Sequence, residues 1–182
     1  MTIHAPLFIV LLPVSAALLC MLFSRIQKNL GSWIVIASIV GAFLSAVTSL
    51  QQVIADGGKP IHYWMGNWQP PLGIEFVIDP ISGALAVLIT FISLLGAIYS
   101  LPFVKEEGWL HIGGYYTLYG LMTVGMCGMV ITGDVFNLYV FLEVMSLSGY
   151  GLIAIGGKKS MLAAFRYLLI GTIGASLYLL GV

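Results

Sequence analysis

Apolar residues run along this chain in six long blocks separated by short polar breaks: approximately Pro6 to Ser24, Trp33 to Ile54, Pro80 to Val104, Ile112 to Thr132, Val135 to Ile155 and Met161 to Val182. At about 1.5 Å per residue, each is long enough as a helix to cross a hydrocarbon layer roughly 30 Å thick. The pattern predicts an all-α integral membrane protein of about six transmembrane helices. No low-complexity segment or linker divides the blocks, so residues 1–182 are expected to form a single transmembrane domain.

The interval Ala55 to Asp79 interrupts this rhythm. Leu72, Ile74, Phe76 and Ile78 alternate with less apolar neighbours after Gln69-Pro70-Pro71, a turn signal, and Tyr63 and Trp64 stand before it. This predicts a short β-hairpin in the outer loop between helices 2 and 3, with Tyr63, Trp64 and Trp68 at headgroup level. The simpler alternative is that these aromatics anchor a loop.

Composition narrows the class. With 60% hydrophobic and 8% charged residues and a mean hydropathy of +1.06, the chain lies outside the soluble globular range of about 25% charged. The formal net charge is zero, so no basic surface points to nucleic acid. Cys20 and Cys127 fall inside apolar blocks with no metal-ligand spacing and read as packing residues. The first block is like a signal peptide in length. However, Arg25 and Lys28 follow it rather than precede it, and no A-x-A cleavage pattern is evident, so it reads as a retained helix.

The placement of charge matters more than its sum. If the N-terminus is outside, the inner loops carry Arg25 and Lys28, then Lys105, then Lys158 and Lys159, with Arg166 one turn into the sixth helix; only Lys59 is outside. Under the positive-inside rule both termini are then outside. Asp56, Glu75, Asp79 and Asp134 fall on the outer side and Glu106 and Glu107 on the inner side, which leaves Glu143 as the one deep carboxylate.

Glu143 lies about nine residues, or roughly 13 Å, beyond the polar break at Gly133-Asp134, close to a bilayer midplane. Insertion scales put the cost of an acidic residue there at roughly 2.5 to 3.5 kcal/mol, so a functional reason for it is the first expectation. Tyr139, Glu143, Ser146 and Tyr150 follow one another at steps of four, three and four, which puts them on one helical face among leucines, valines and phenylalanines. Two readings are open for Glu143: a reversible proton-loading site, or a protonated side chain acting as interhelical glue. Tyr139, Ser146 and Tyr150 are either hydroxyl relays for the same proton or packing groups. Asp134 and Asn137 are expected to cap the fifth helix.

The remaining chemistry is sparse. His4, His62 and His111 have no second ligand at a metal-binding spacing and read as interfacial residues, and no phosphate-cradling glycine motif follows a strand. Small residues at Ser38, Ala42 and Ala46, and at Gly171 and Ala175, are spaced for close helix packing. No self-contained catalytic site, cofactor site or metal site is expected.

The run TGDVFNLYVFLEVMSLSGYGLIAIGG, together with GNWQPPLGIEFVIDPISG, resembles the antiporter-like membrane subunits shared by Mrp-type Na+/H+ antiporters, energy-converting membrane-bound hydrogenases and respiratory complex I. The likeness is greatest to the Mrp D-subunit branch. It implies a subunit of about fourteen helices with two inverted repeats, of which this chain resembles the first six helices, either a naturally split subunit or a portion of a longer one. It implies that Glu143 is the fifth-helix glutamate of the first half-channel and that the outer hairpin contacts a neighbouring subunit. The seventh-helix lysine of that pattern has no counterpart here, so a companion segment or subunit is expected to supply a lysine near Glu143.

Two functions follow from the resemblance. One is a proton-translocating subunit, with or without Na+/H+ exchange, in an Mrp-type antiporter or a redox-driven oxidoreductase complex of a prokaryotic cell membrane. The other is a non-conducting scaffold joining modules of such a complex. Under either reading the expected partners are other membrane subunits and lipid, with no nucleic acid. The charge pattern itself yields the first testable expectation. A cysteine introduced beside Lys158 should react with membrane-impermeant thiol reagent only from the inner side, and labelling from outside would overturn the orientation.

Overall fold

A computed structural model of the chain describes residues 4–27, 29–70, 72–104 and 109–182, with the backbone alone for 109 and 110. Lys28, Pro71, Lys105, Glu106 and Glu107, which the sequence assigns to loops, lie outside the described residues. Six helices follow in order: α1 (Ala5–Ile26), α2 (Leu30–Ala55), α3 (Pro80–Val104), α4 (Trp109–Ile131), α5 (Val135–Ala154) and α6 (Lys158–Gly181). All six contain stretches long and apolar enough to cross a membrane.

The apolar blocks locate these helices to within a few residues, and the start of α6 is the informative difference. Gly157 adopts φ 101°, a left-handed conformation that glycine enters at little cost, and helix resumes at the next residue. Lys158 and Lys159 therefore form the first turn of α6 rather than a loop, and Arg166 lies two turns into the helix rather than one. Lysine is a good helix former, and its long stem lets the ammonium reach water from a helix end.

Between α2 and α3, strands β1 (Ile61–Trp64) and β2 (Glu75–Ile78) pair antiparallel, Ile61 opposite Ile78 and Trp64 opposite Glu75. The expected hairpin is present, but β2 begins at Glu75, so Leu72 and Ile74 lie in the connection. A single 3-10 turn, Met65–Asn67, takes up part of that connection, and the Gln69 carbonyl accepts from the Leu72 and Gly73 amides at 3.2 and 3.3 Å. Leu72 is exposed, whereas Phe76 and Ile78 on β2 are buried. The hairpin thus inserts two apolar side chains into one end of the helical bundle.

Helices α1 to α4 enclose two clusters of buried residues. At the hairpin end, Phe76 and Ile78 pack with Ile9, Val10, Ala46, Val53, Val124 and Ile131. Towards the opposite end, Ala16, Cys20, Val35, Ile39, Ala97 and Tyr116 form a second cluster. Both cysteines are free and fully buried. Tyr116 and Tyr119 of α4 carry their hydroxyls to α3: Tyr116 lies 3.0 Å from Ser100 Oγ, and Tyr119 donates to the Ser93 carbonyl at 2.9 Å. The buried phenol of Tyr116 and the partly buried one of Tyr119 are thereby each paired with a polar partner, as an apolar surrounding requires.

Asp79 and Ser82 cap α3 reciprocally. The Ser82 amide donates to Asp79 Oδ1 at 2.6 Å, and the Asp79 amide donates to Ser82 Oγ at 2.8 Å. Hydrogen bonds from the Ser82 backbone and then its hydroxyl hold the Asp79 carboxyl below the usual carboxylate range. A depressed folded-state value means that this cap supports the fold above that range and that its contribution fades as acid protonates it.

Helix α5 packs on α4 through glycines. A Cβ on Gly125 would stand 2.6 Å from both the backbone nitrogen and the Cβ of Met145, and one on Gly128 would enter the ring of Phe141. α6 then packs principally on α5. Gly125→Ala is expected to destabilise the protein by about 1–3 kcal/mol, the usual range for overpacking. Gly114→Ala, with nothing within 4 Å of the added carbon, should be neutral or slightly stabilising. Thermal unfolding of the detergent-solubilised protein checks the pair, and equal midpoints for the two would contradict the glycine seam.

Candidate functional site in α5 and α6

The site is built on α5, and the position of α5 is set at its N-terminus. Asp134 is extended, at φ −115° and ψ 126°, and its Oδ1 accepts from the amides of Phe136 and Asn137 at 2.8 and 3.4 Å. Free backbone donors at a helix start favour an acidic cap of this kind. Asn137 plays a different part from the expected one. Its side-chain amide turns back to donate to Thr132 Oγ1 at 3.0 Å, because the Asp134 carboxylate already satisfies the backbone donors it would otherwise compete for.

The same turn is fixed to the hairpin. The Gly133 amide donates to the Glu75 carbonyl at 2.9 Å, and Phe76 forms a β-bridge with Thr132. Glu75 Oε1 in turn accepts from Trp64 Nε1 at 2.9 Å and lies 2.7 Å from His62 Nδ1. His4 Nδ1 stands 3.0 Å from the Tyr63 hydroxyl, tying the start of α1 to the hairpin.

From this anchor Glu143 follows as the ninth residue of α5, partly buried and about midway along the helix. Among the described residues its carboxylate takes part in no ion pair and no side-chain hydrogen bond. Lys158, Lys159 and Arg166 are all exposed and none is paired with it. The interhelical-glue reading needs a hydrogen bond to a neighbouring helix, and none of the described side chains supplies one.

The stripe meets α6. The ring of Tyr139 stacks on that of Tyr178, with centroids 6.3 Å apart and planes within 4°, and the Tyr178 hydroxyl donates to the Val135 carbonyl at 3.3 Å. Tyr150 meets Tyr167 edge-on at 4.9 Å. Such aromatic pairs contribute about 0.5–1.5 kcal/mol each beyond the area they bury. By helical phase Glu143 and Ser146 share this face, whereas Phe141 and Met145 on the other side of the helix meet α4. Ser146 makes no side-chain hydrogen bond among the described residues. Ser148 on the α4 side is buried and donates to the Val144 carbonyl at 2.6 Å.

The α6 partners Tyr167, Gly171 and Tyr178 did not emerge from the sequence as site residues. The available signal was a repeat of the α5 spacing, since Tyr167, Gly171, Gly174 and Tyr178 also step by four, three and four. A cleft of about 880 Å³ does open at the hairpin end, between His4, Asp56, His62, Tyr63, Trp64 and Asn67, but no residue of the stripe lines it. Among the described residues no group of three or more His, Cys, Asp or Glu is arranged to hold a metal. What the α5–α6 face offers chemically is one titratable carboxylate deep in an apolar span, flanked by hydroxyls.

No protein-family model matches the chain. It is 42% identical over 182 residues to NADH-quinone oxidoreductase subunit N of Desulforudis audaxviator (strain MP104C), covering all of this chain and 36% of that protein. To the D-subunit of the Na+/H+ antiporter of Bacillus subtilis (strain 168) it is 28% identical over 174 residues, covering 95% of this chain and 34% of that one. A chain in the structure of the membrane-bound sulfane sulfur reductase, an archaeal respiratory membrane complex, superposes with a TM-score of 0.89 at 30% identity, covering 98% of this chain and 36% of that one. The chain thus spans about a third of the length of these relatives. The resemblance read in the Gly133-Asp134 and Glu143 segment therefore holds over the whole chain, which is a homologue, matching their N-terminal part, of the antiporter-like membrane subunits of Mrp antiporters, NADH-quinone oxidoreductase and related respiratory complexes.

Proposed function

We propose that this chain is the N-terminal part of a proton-translocating membrane subunit in an Mrp-type antiporter or redox-driven respiratory complex, and that Glu143 is its proton-loading site. The observation that carries the reading is the unpaired carboxylate of Glu143, held near the middle of an apolar helix on the face that also bears Tyr139, Ser146 and Tyr150. A midplane carboxylate is costly unless it has a task or a partner, and reversible protonation is the task its chemistry suits. Tyr139, Ser146 and Tyr150 are assigned as hydroxyls along the proton path.

The compensating cation is assigned to a lysine from outside residues 1–182. Arg166 is the nearest cation of this chain along the α5–α6 pair. Tyr150 pairs with Tyr167, so Arg166 stands close to the level of Gly151, about eight residues or roughly 12 Å short of Glu143 along the helix axis. Lys158 and Lys159 lie further still. The orientation proposed is both termini outside, so that Arg25, Lys158, Lys159 and Arg166 are on the inner half and the hairpin faces out, consistent with the basic residues gathering at the end opposite the hairpin. The other membrane subunits of the complex are its proposed partners, together with lipid. The scaffold reading needs no titratable group at this depth.

Glu143→Gln preserves shape and offers an amide but cannot titrate. In the assembled complex it should reduce coupled proton transport by at least about 100-fold, the scale on which removal of a proton-transfer group acts, while leaving subunit assembly intact. Wild-type transport by this variant would leave the scaffold reading in its place. Residues 1–182 alone, reconstituted into liposomes under an imposed pH gradient, should carry no proton flux above empty vesicles. Flux that disappeared with Glu143→Gln would contradict the requirement for an outside lysine.

A further inference from the structure

A narrow groove of about 220 Å³ opens on the side of the bundle where α1, the hairpin and α5 meet. Val10, Phe76 and Asn137 are buried in its floor, and Leu11 and Val140 stand exposed at its rim. From Leu7 to Val14 the groove follows α1 for about 10 Å, with Met65 and Ile74 of the hairpin connection at one end. Asn137 is the one hydrogen-bonding side chain in this lining.

Thr132 fixes which way the Asn137 amide faces. The Thr132 hydroxyl has one proton, which it donates to the Asp134 carbonyl at 3.4 Å, so it accepts from the Asp134 amide at 3.3 Å and from Asn137 Nδ2 at 3.0 Å. The nitrogen of the side chain is thereby committed to the turn, and Oδ1 points away from it. Among the described residues Oδ1 has no partner, yet no fully buried side-chain oxygen is left without one. This oxygen is therefore accessible, and the groove is the opening that Asn137 lines. A side chain only 6% exposed thus presents a free acceptor to an otherwise apolar recess.

The chemistry of the recess discriminates between occupants. Water requires two to four polar partners, and one is offered. The end of an acyl chain would fill the space but leave the acceptor unpaired, and an upright phospholipid would need its headgroup where the hairpin stands. A molecule of about one ring with a single O–H satisfies both the space and the acceptor. A dry cavity of about 150 Å³ lined by Leu, Ile and Phe accepts benzene, so the volume here suits a substituted ring. The rings of Phe76 and Phe141, with centroids 6.2 Å apart and planes inclined at 37°, supply aromatic surface for it to pack on.

We propose that this groove is a binding site for a small phenol dissolved in the membrane, whose ring packs between α1 and Phe141 and whose hydroxyl donates to Asn137 Oδ1. The molecule enters sideways from the bilayer, past Leu11 and Val140. Once bound it touches α1, the hairpin and α5 together, and so braces the contact that sets the start of α5. Nothing in this assignment depends on the protonation of Glu143.

The test uses the full-length subunit in its assembled complex, held in lipid nanodiscs, and fluorine NMR of two probes. 4-Fluorophenol carries the hydroxyl, and 4-fluorotoluene replaces it by a methyl group of similar size. After correction for partition into protein-free nanodiscs, 4-fluorophenol should bind saturably and about three- to tenfold more tightly than 4-fluorotoluene, the factor that one net hydrogen bond supplies. Asn137→Leu should bring the two probes within about twofold of each other. Val140→Trp alters only the exposed rim and leaves the Asn137 to Thr132 bond in place, so it should abolish saturable binding of both probes with normal assembly. Absence of saturable 4-fluorophenol binding to the wild type would overturn the proposal, since another part of the complex would then occupy the groove. Equal affinities of the wild type for the two probes, or unchanged binding in Val140→Trp, would overturn it as well. If Asn137→Leu does not assemble, the wild-type comparison and Val140→Trp still decide the matter.

Discussion

A carboxylate inside a hydrocarbon layer is the constraint on which this structure turns. Water is the ordinary partner of an ionised Glu, and the chain carries Glu143 about midway along an apolar helix. The fold must then hold that group at a fixed depth and offer it polar surroundings, while every backbone donor and acceptor around it is satisfied internally. Depth is the part this chain solves most completely. The Asp134 cap, the Gly133 to Glu75 hydrogen bond and the Phe76 to Thr132 bridge join the start of α5 to the hairpin, whose Phe76 and Ile78 are embedded in the α1–α4 core. The carboxylate is thereby referenced, through nine residues of helix, to a rigid body.

That chain of contacts gives the hairpin a mechanical meaning besides any contact with other subunits. Glu75 gathers His62 and Trp64 on its carboxylate while its backbone carbonyl receives Gly133. One residue of β2 thus joins the outer edge of the hairpin to the turn that begins the glutamate helix. His4 and Tyr63 extend the same connection to α1.

Much of this was legible in the sequence because membrane solvation leaves few alternatives. Six apolar blocks translate almost directly into six helices, and the one polar stripe in α5 is visible as a four, three and four spacing. The errors fall where local geometry competes with composition. The start of α6 depends on the positive φ of Gly157, and a pair of lysines read as a loop is in fact a first helical turn. The length of β2 depends on how the 3-10 turn at Met65–Asn67 consumes the connection. Asn137 was misassigned because two side chains competed for one set of free amides and the carboxylate of Asp134 took them. Half of the site stayed hidden for a different reason. Tyr167, Gly171 and Tyr178 are informative only once the register with α5 is known, and register is set by pairs of aromatic rings that no single helix reveals.

Helix α5 meets glycine on both sides, and this limits how far the helix can move. Towards α4, Gly125 and Gly128 bring its backbone against Met145 and Phe141; towards α6, Gly171 receives the Tyr150 ring. Close backbone approach leaves little slack, because small residues at a helix interface remove the flexible side chains that would otherwise absorb a shift. A piston-like movement of α5 would drive Met145 into α4 and break the Asp134 cap at the same time.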